Sequence, residues 1–153
     1  MKVVDFLRPE LVLSELRATT KSQVLVELSQ LLAKHQPGVN PEDLQKVLEE
    51  RELLASTGIG DGIAIPHGKL DAVGQLLGVL GRSRPGIEFD SIDGKPTHLI
   101  FMLVAPASST GVHLKALARL SRLCREPQLR QRLKDAPDAA AMYRVIADED
   151  ARY

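Results

Sequence analysis

The sequence predicts an α/β sandwich: one mixed β-sheet with helices packed on both faces. Three observations carry that reading. Strand-like apolar runs alternate, irregularly, with segments whose apolar residues recur at three- and four-residue steps. The run Leu99-Ile100-Phe101-Met102-Leu103-Val104-Ala105 is apolar without a break, as expected of a strand covered on both faces. The 153 residues hold no internal repeat, no low-complexity tract and no dividing linker, so a single domain over 1–153 is expected.

The elements follow in order. Arg8-Pro9-Glu10 reads as a turn and Val12 to Leu16 as a short strand. Thr19 or Thr20 can cap a helix whose apolar positions are Val24, Leu25, Leu28, Leu31 and Leu32, ending near His35 before Pro37-Gly38. Asn40 is a second N-cap, with Pro41 in the first helical position and Leu44, Val47 and Leu48 on one side. That helix runs to about Leu53 or Leu54. Ile63-Ala64-Ile65 and Leu76 to Leu80 read as strands, Arg84-Pro85-Gly86 and Ser91 to Lys95 as turns. Pro106 ends the long apolar strand, and Ser109 or Thr110 opens a helix carrying Leu114, Leu117, Leu120 and Leu123. Pro127 precedes a helix over Leu129 to Lys134, and a last helix spans Asp138 to Ile146. The acidic tail Asp148-Glu149-Asp150 is expected to fray.

Composition narrows the function. Twenty basic and twenty acidic residues cancel, and aromatics are 3% with no Trp, which argues against a nucleic-acid binder. The stretch holding Arg119, Arg122, Arg125, Arg130, Arg132 and Lys134 is locally basic and reads as the solvated face of two helices. One cysteine, Cys124, excludes an internal disulfide and any multi-cysteine metal site, and its leucine-rich surroundings suggest a buried, inert thiol. The first residues show no signal-like apolar region and no stretch is long enough to span a bilayer, so a cytoplasmic protein without membrane insertion is expected.

The most informative stretch is Ser56-Thr57-Gly58-Ile59-Gly60-Asp61-Gly62-Ile63-Ala64-Ile65-Pro66-His67-Gly68-Lys69. Pro66 biases Ile65 towards extended backbone, and Gly68 removes bulk on the other side. His67 should therefore end an extended segment with one ring face open. Dinucleotide binding would need Gly-x-Gly-x-x-Gly, but Ile63 stands at the last glycine's place. No Gly-Lys-Ser or Gly-Lys-Thr completes a P-loop, and a zinc site from His67, His113 and Asp61 lacks a supporting histidine or cysteine pair. A second histidine, His113, falls in the first turns of a helix, where the positive helix end favours anions and a neutral ring. Arg51 closes the helix before the glycine-rich stretch, and its guanidinium fork suits phosphate oxygens. On composition alone both residues are as readily solvated side chains.

The stretch from Ser56 to Lys69 resembles the active-site signature of enzyme IIA proteins of the bacterial phosphoenolpyruvate-dependent phosphotransferase system, of the fructose/mannitol class, nearest the nitrogen-regulatory branch. The similarity also takes in Arg51-Glu52, Glu88 to Gly94 and His113-Leu114, and so spans nearly the whole chain. It implies that His67 carries a phosphoryl group, that His113 and Arg51 are active-site residues, and that Ser56 and Thr57 add hydroxyl donors. It implies a histidine-containing phosphocarrier protein as donor and protein targets regulated by phosphorylation state, with no cofactor or metal. Two other readings stay open: a sugar-transport IIA passing the phosphoryl group to a IIB domain, and a binding module without catalysis. The absence of a fused IIB or membrane segment leans towards regulation, and the presence of both histidines and Arg51 speaks against a purely binding role.

Overall fold

The computed structural model describes residues 1–109 and 111–152. After a 3-10 turn at Val3–Asp5, the elements are β1 (Leu7–Leu13), α1 (Lys21–His35), α2 (Pro41–Leu54), β2 (Gly58–Gly60), β3 (Ile63–Ala64), β4 (His67–Leu70), β5 (Leu77–Ile87), β6 (Thr97–Pro106), α3 (Val112–Cys124), α4 (Pro127–Asp135) and α5 (Ala139–Ala151). The strands form one mixed sheet in the order β1-β5-β6-β3-β2, with β4 also paired to β6. β5 is antiparallel to β6, whereas β3 and β4 lie parallel to it in succession.

The apolar run of β6 separates two cores. Leu99, Phe101, Leu103 and Ala105 face the cluster built with Ala116, Leu120 and Leu123 of α3, Leu129 and Leu133 of α4, and Met142 and Ile146 of α5. Ile100, Met102 and Val104 face the opposite cluster, built with Val24, Leu25, Leu28 and Leu32 of α1 and Leu44 and Leu48 of α2. Period-two alternation along a strand apolar on both sides thus makes the three-layer sandwich that the sequence predicts. Each such fully buried side chain contributes roughly 1.5–3 kcal/mol of apolar burial.

The helix starts match their capping residues. Thr20 accepts the amide of Gln23, Asn40 accepts those of Glu42 and Asp43, and Asp138 accepts that of Ala141. Other boundaries differ from expectation. Arg8-Pro9-Glu10 lies within β1, and Arg84-Pro85-Gly86 within β5, where turns were expected. Proline is tolerated at both places because the ladder slips there: the β1–β5 register shifts between Leu7 and Val12, and the β5–β6 register between Arg82 and Ile87. Ser14 to Leu16 lie beyond the end of β1. α3 opens at Val112 with Gly111 as N-cap, after Ser109; Thr110 lies outside the described residues.

The C-terminal tail is not frayed. α5 runs on to Ala151, and Asp150, 1% exposed, receives Arg119 at 2.6 Å and the amide of Val4 at 3.0 Å. A buried carboxylate needs such partners, and they tie the last helix to α3 and to the N-terminal turn. The same pair corrects the reading of Arg119 as part of a solvated basic face. Cys124 is buried as expected, and burial pushes its thiol up to about 12. Among the described residues no helix is long and apolar enough to cross a membrane.

Candidate functional site

The glycine-rich stretch folds as a tight hairpin followed by an interrupted strand. β2 and β3 are antiparallel, and Gly60, Asp61 and Gly62 turn between them with φ of 92°, 57° and 77°. Two of these three left-handed positions are glycine, the residue that adopts them without strain. Gly58 answers a different need, since a Cβ there would meet the Ser91 backbone at 2.9 Å.

β3 and β4 continue one line along β6, in the same register: Ala64 opposes Ile100 and His67 opposes Leu103. Ile65 and Pro66 interrupt it. The amide of Ile65 still bonds the Thr57 carbonyl at 3.0 Å, and the Pro66 carbonyl accepts the amide of Leu103 at 2.9 Å. The Ile65 carbonyl is instead taken by the side chain two residues on: Nδ1 of His67 bonds it at 2.8 Å. A carbonyl only accepts, so Nδ1 carries the hydrogen and Nε2 presents its lone pair. The Nε–H of Arg51 donates to Nε2 at 3.3 Å, which fits the same tautomer.

Arg51 reaches that ring because α2 lies hard against β4. A Cβ on Gly68 would come within 2.5 Å of Val47 Cγ1, so glycine permits the approach, and Arg51 stands one turn beyond Val47. Its Nη1 donates to the Ala55 carbonyl at 2.9 Å, fixing the guanidinium at the end of α2.

His113 is the second residue of α3. Its charge, when present, opposes protonation of His67, so the two rings are electrostatic neighbours. Lys69 Nζ donates to the Ser109 carbonyl at 2.8 Å and ties β4 to the chain leading into α3. Burial, with the charge of Lys69, holds His113 below the ordinary imidazole value, and its buried Nδ1 has no hydrogen-bond partner among the described residues. His67 is also held below that value: burial leads and Arg51 and His113 add, against the Ile65 carbonyl and Glu52. Both rings are therefore kept neutral to lower pH than free imidazole.

The structure thus brings Arg51, His67 and His113 together across α2, β4 and α3. Ser56 and Thr57 stand beside them, but their hydroxyls have other partners. Ser56 Oγ donates to the Phe89 carbonyl at 2.6 Å, and Thr57 Oγ1 donates to Glu52 Oε1. Sequence reasoning missed Glu52 and Lys21. Glu52, whose side chain is 7% exposed, also accepts the Thr57 amide at 3.2 Å and pairs with Lys21 Nζ at 2.6 Å. Lys21 lies over the Phe89 ring, 5.0 Å from its centre. The Arg-Glu pair of α2 marked the place of Glu52, while Lys21, at the start of α1, left no local signal.

The arrangement offers a neutral nucleophilic nitrogen, a guanidinium pointed at it and a helix N-terminus alongside, the parts needed to receive a phosphoryl group. Comparison with known proteins agrees. Residues 5–149 match the family described as phosphoenolpyruvate-dependent sugar phosphotransferase system, EIIA 2. The chain is 40% identical over 147 residues to a nitrogen regulatory protein of Bradyrhizobium diazoefficiens, covering 96% of this chain and 95% of that one. It is 33% identical over 150 residues to the fructose-specific EIIABC component of Bacillus subtilis, covering 98% of this chain but 24% of that longer protein. Its fold superposes on the crystal structure of the nitrogen regulatory protein IIA-Ntr from Neisseria meningitidis with a TM-score of 0.86 at 32% identity, over 93% of this chain and 97% of that one. The chain belongs to the EIIA 2 family of the phosphoenolpyruvate-dependent sugar phosphotransferase system, and along its whole length it is similar to the family's nitrogen regulatory members.

Proposed function

We propose that this protein accepts a phosphoryl group on Nε2 of His67 from a histidine-containing phosphocarrier protein, and that its phosphorylation state regulates protein targets in the cytoplasm. The observation that carries the assignment is the 2.8 Å bond from Nδ1 to the Ile65 carbonyl, which leaves the lone pair on Nε2 as the nucleophile. In the transfer step the Nε2 lone pair attacks phosphorus, and the bond from phosphorus to the donor's imidazole nitrogen breaks. The new phosphoimidazole keeps its Nδ1–H on Ile65. The carbonyl stabilises the positive ring, and that ring is a good leaving group for onward transfer.

Arg51 Nε loses its acceptor when Nε2 becomes bonded to phosphorus and turns to a phosphoryl oxygen. His113, neutral at the start of α3, supplies the second contact. These two side chains bind and orient without carrying the group.

The surface next to the site suits a protein donor. Leu53, Leu54 and Leu114 are 85%, 82% and 59% exposed. Leu53 and Leu54 follow Arg51, and Leu114 follows His113. Ile63 and Ile65, beside the glycines, are buried in the core and take no part in this surface. Exposed apolar side chains grouped around a reactive group mark a docking face.

The test is incubation with phosphoenolpyruvate and the upstream relay proteins, with the acid-labile phosphate mapped by mass spectrometry. One phosphate on His67 is expected, and none in His67→Ala. Equal labelling of that variant overturns the assignment.

A further inference from the structure

We propose that a second anion site, for a phosphate-type oxyanion, lies at the other end of β6 from His67, built on the buried guanidinium of Arg82. Arg82 is 1% exposed. Its Nε donates to the Ser14 carbonyl at 3.0 Å, and its Nη1 to the carbonyls of Leu133, Lys134 and Ala136 at the end of α4, at 2.8, 3.3 and 2.6 Å. Those contacts lock the guanidinium in place and account for its Nε and Nη1 hydrogens. Nη2, with two more, is buried and has no partner among the described residues. A fixed cationic donor left unpaired in the interior is costly, so its persistence calls for an acceptor.

Arg82 lines a cavity of about 180 Å³ together with Ser83, Arg84, His98 and Lys134. A water occupies roughly 30 Å³ of liquid, so a five-atom oxyanion fits. Every ionisable side chain lining the chamber is basic. Glu15, the acidic group whose charge reaches Arg82, is 74% exposed and pairs with Arg84 at 3.7 Å. His98 donates Nδ1–H to the Ser83 carbonyl at 3.0 Å, so its Nε2 presents a lone pair that can accept from the O–H of a protonated oxyanion.

The geometry selects a tetrahedral acceptor. Because Nη1 and Nε are engaged, Arg82 cannot offer the planar fork that suits a carboxylate. It offers one nitrogen, and Lys134 adds a single donor from α4. The chamber shares His98 and Lys134 with an outer cleft of about 410 Å³, to which Lys95, Arg130 and Gln131 also contribute, along with Asp61 and Asp93. A small phosphate monoester can therefore place its phosphate inside and its remainder in the cleft. His98 stands five residues before Leu103, the partner of His67, roughly 17 Å along the strand, so this is not the phosphoryl site.

The experiment is NMR titration of the His67→Ala protein, which removes the proposed phosphorylation site from the result. The probes are inorganic phosphate and glycerol 3-phosphate, with sodium chloride at matched ionic strength. Saturable shifts are expected at Ser83, His98 and Lys134 with the phosphates and not with chloride. Lys134→Met, checked for an unchanged melting temperature, should weaken binding about tenfold, and Lys134→Arg should restore most of it. Tighter binding of glycerol 3-phosphate identifies a monoester ligand, and equal binding identifies free phosphate. Non-saturable shifts, shifts matched by chloride, or undiminished binding in Lys134→Met overturns the proposal.

Discussion

With Nδ1–H on the Ile65 carbonyl and Nε2 facing Arg51, the ring of His67 holds the tautomer that the proposed attack requires. Its protonation is opposed from three sides: by burial, by Arg51 and by His113. Arg51→Ala should therefore raise the His67 pKa towards the ordinary imidazole value, read from the ring-proton shift in an NMR titration. An unchanged midpoint would remove Arg51 from the electrostatics of the site. The same depressed pKa has a stability consequence whose sign is fixed. Below the unfolded value near 6.5 the unfolded chain binds the proton more readily than the folded one, so the contribution of His67 is full above that pH. It is lost as pH falls through the folded value. His67→Ala should flatten the fall of the melting temperature on the acid side of 6.5, measured from pH 7.5 to 5. Arg51→Lys keeps the charge but cannot reproduce the directed Nε contact, and should slow phosphoryl acceptance by about tenfold or more.

At the scale of elements, the site depends on how closely α2 approaches β4. Gly68→Ala places a methyl 2.5 Å from Cγ1 of Val47, a β-branched side chain with little rotamer freedom. The helix must move, which should cost about 1–3 kcal/mol in chemical denaturation and carry Arg51 away from His67. Val47→Ala combined with Gly68→Ala should recover most of both losses; no recovery would mean that contact is not what sets the helix position. This approach also shows what the sequence could reveal. The caps Thr20 and Asn40, and the two-faced run of β6, are local signals and the structure follows them. The Pro-containing segments of β1 and β5 looked like turns because a register slip that admits proline depends on the neighbouring strand. The resemblance located Arg51, His67 and His113, but not the support beneath them. Glu52 and Thr57 meet locally at the end of α2, but Lys21 stands on α1 and reaches Glu52 only because α1 packs on α2. Asp148 to Asp150 looked like a frayed tail because Arg119, the partner that holds Asp150, lies 31 positions earlier.

Over the whole molecule, charges cancel, twenty basic against twenty acidic, so no large net field steers a partner to the site. Under the proposed function, the exposed leucines beside Arg51 and His113 supply local apolar contact for a phosphoryl donor. Phosphorylation of His67 would add about 1.5 to 2 negative charges at that face. The two forms would then differ where partners dock while sharing one fold. Leu54→Glu tests the apolar face directly. Leu54 is 82% exposed at the end of α2, so a charged replacement should leave the melting temperature within about 1 kcal/mol of stability of the parent. It should raise the KM for the phosphorylated donor about tenfold or more, because a carboxylate would be buried at an interface centre and would repel the incoming phosphoryl group. The kcat at saturating donor should change far less, since Arg51, His67 and His113 are untouched. An unaltered KM, measured by phosphoryl transfer at varied donor concentration, would show that the donor approaches from another side.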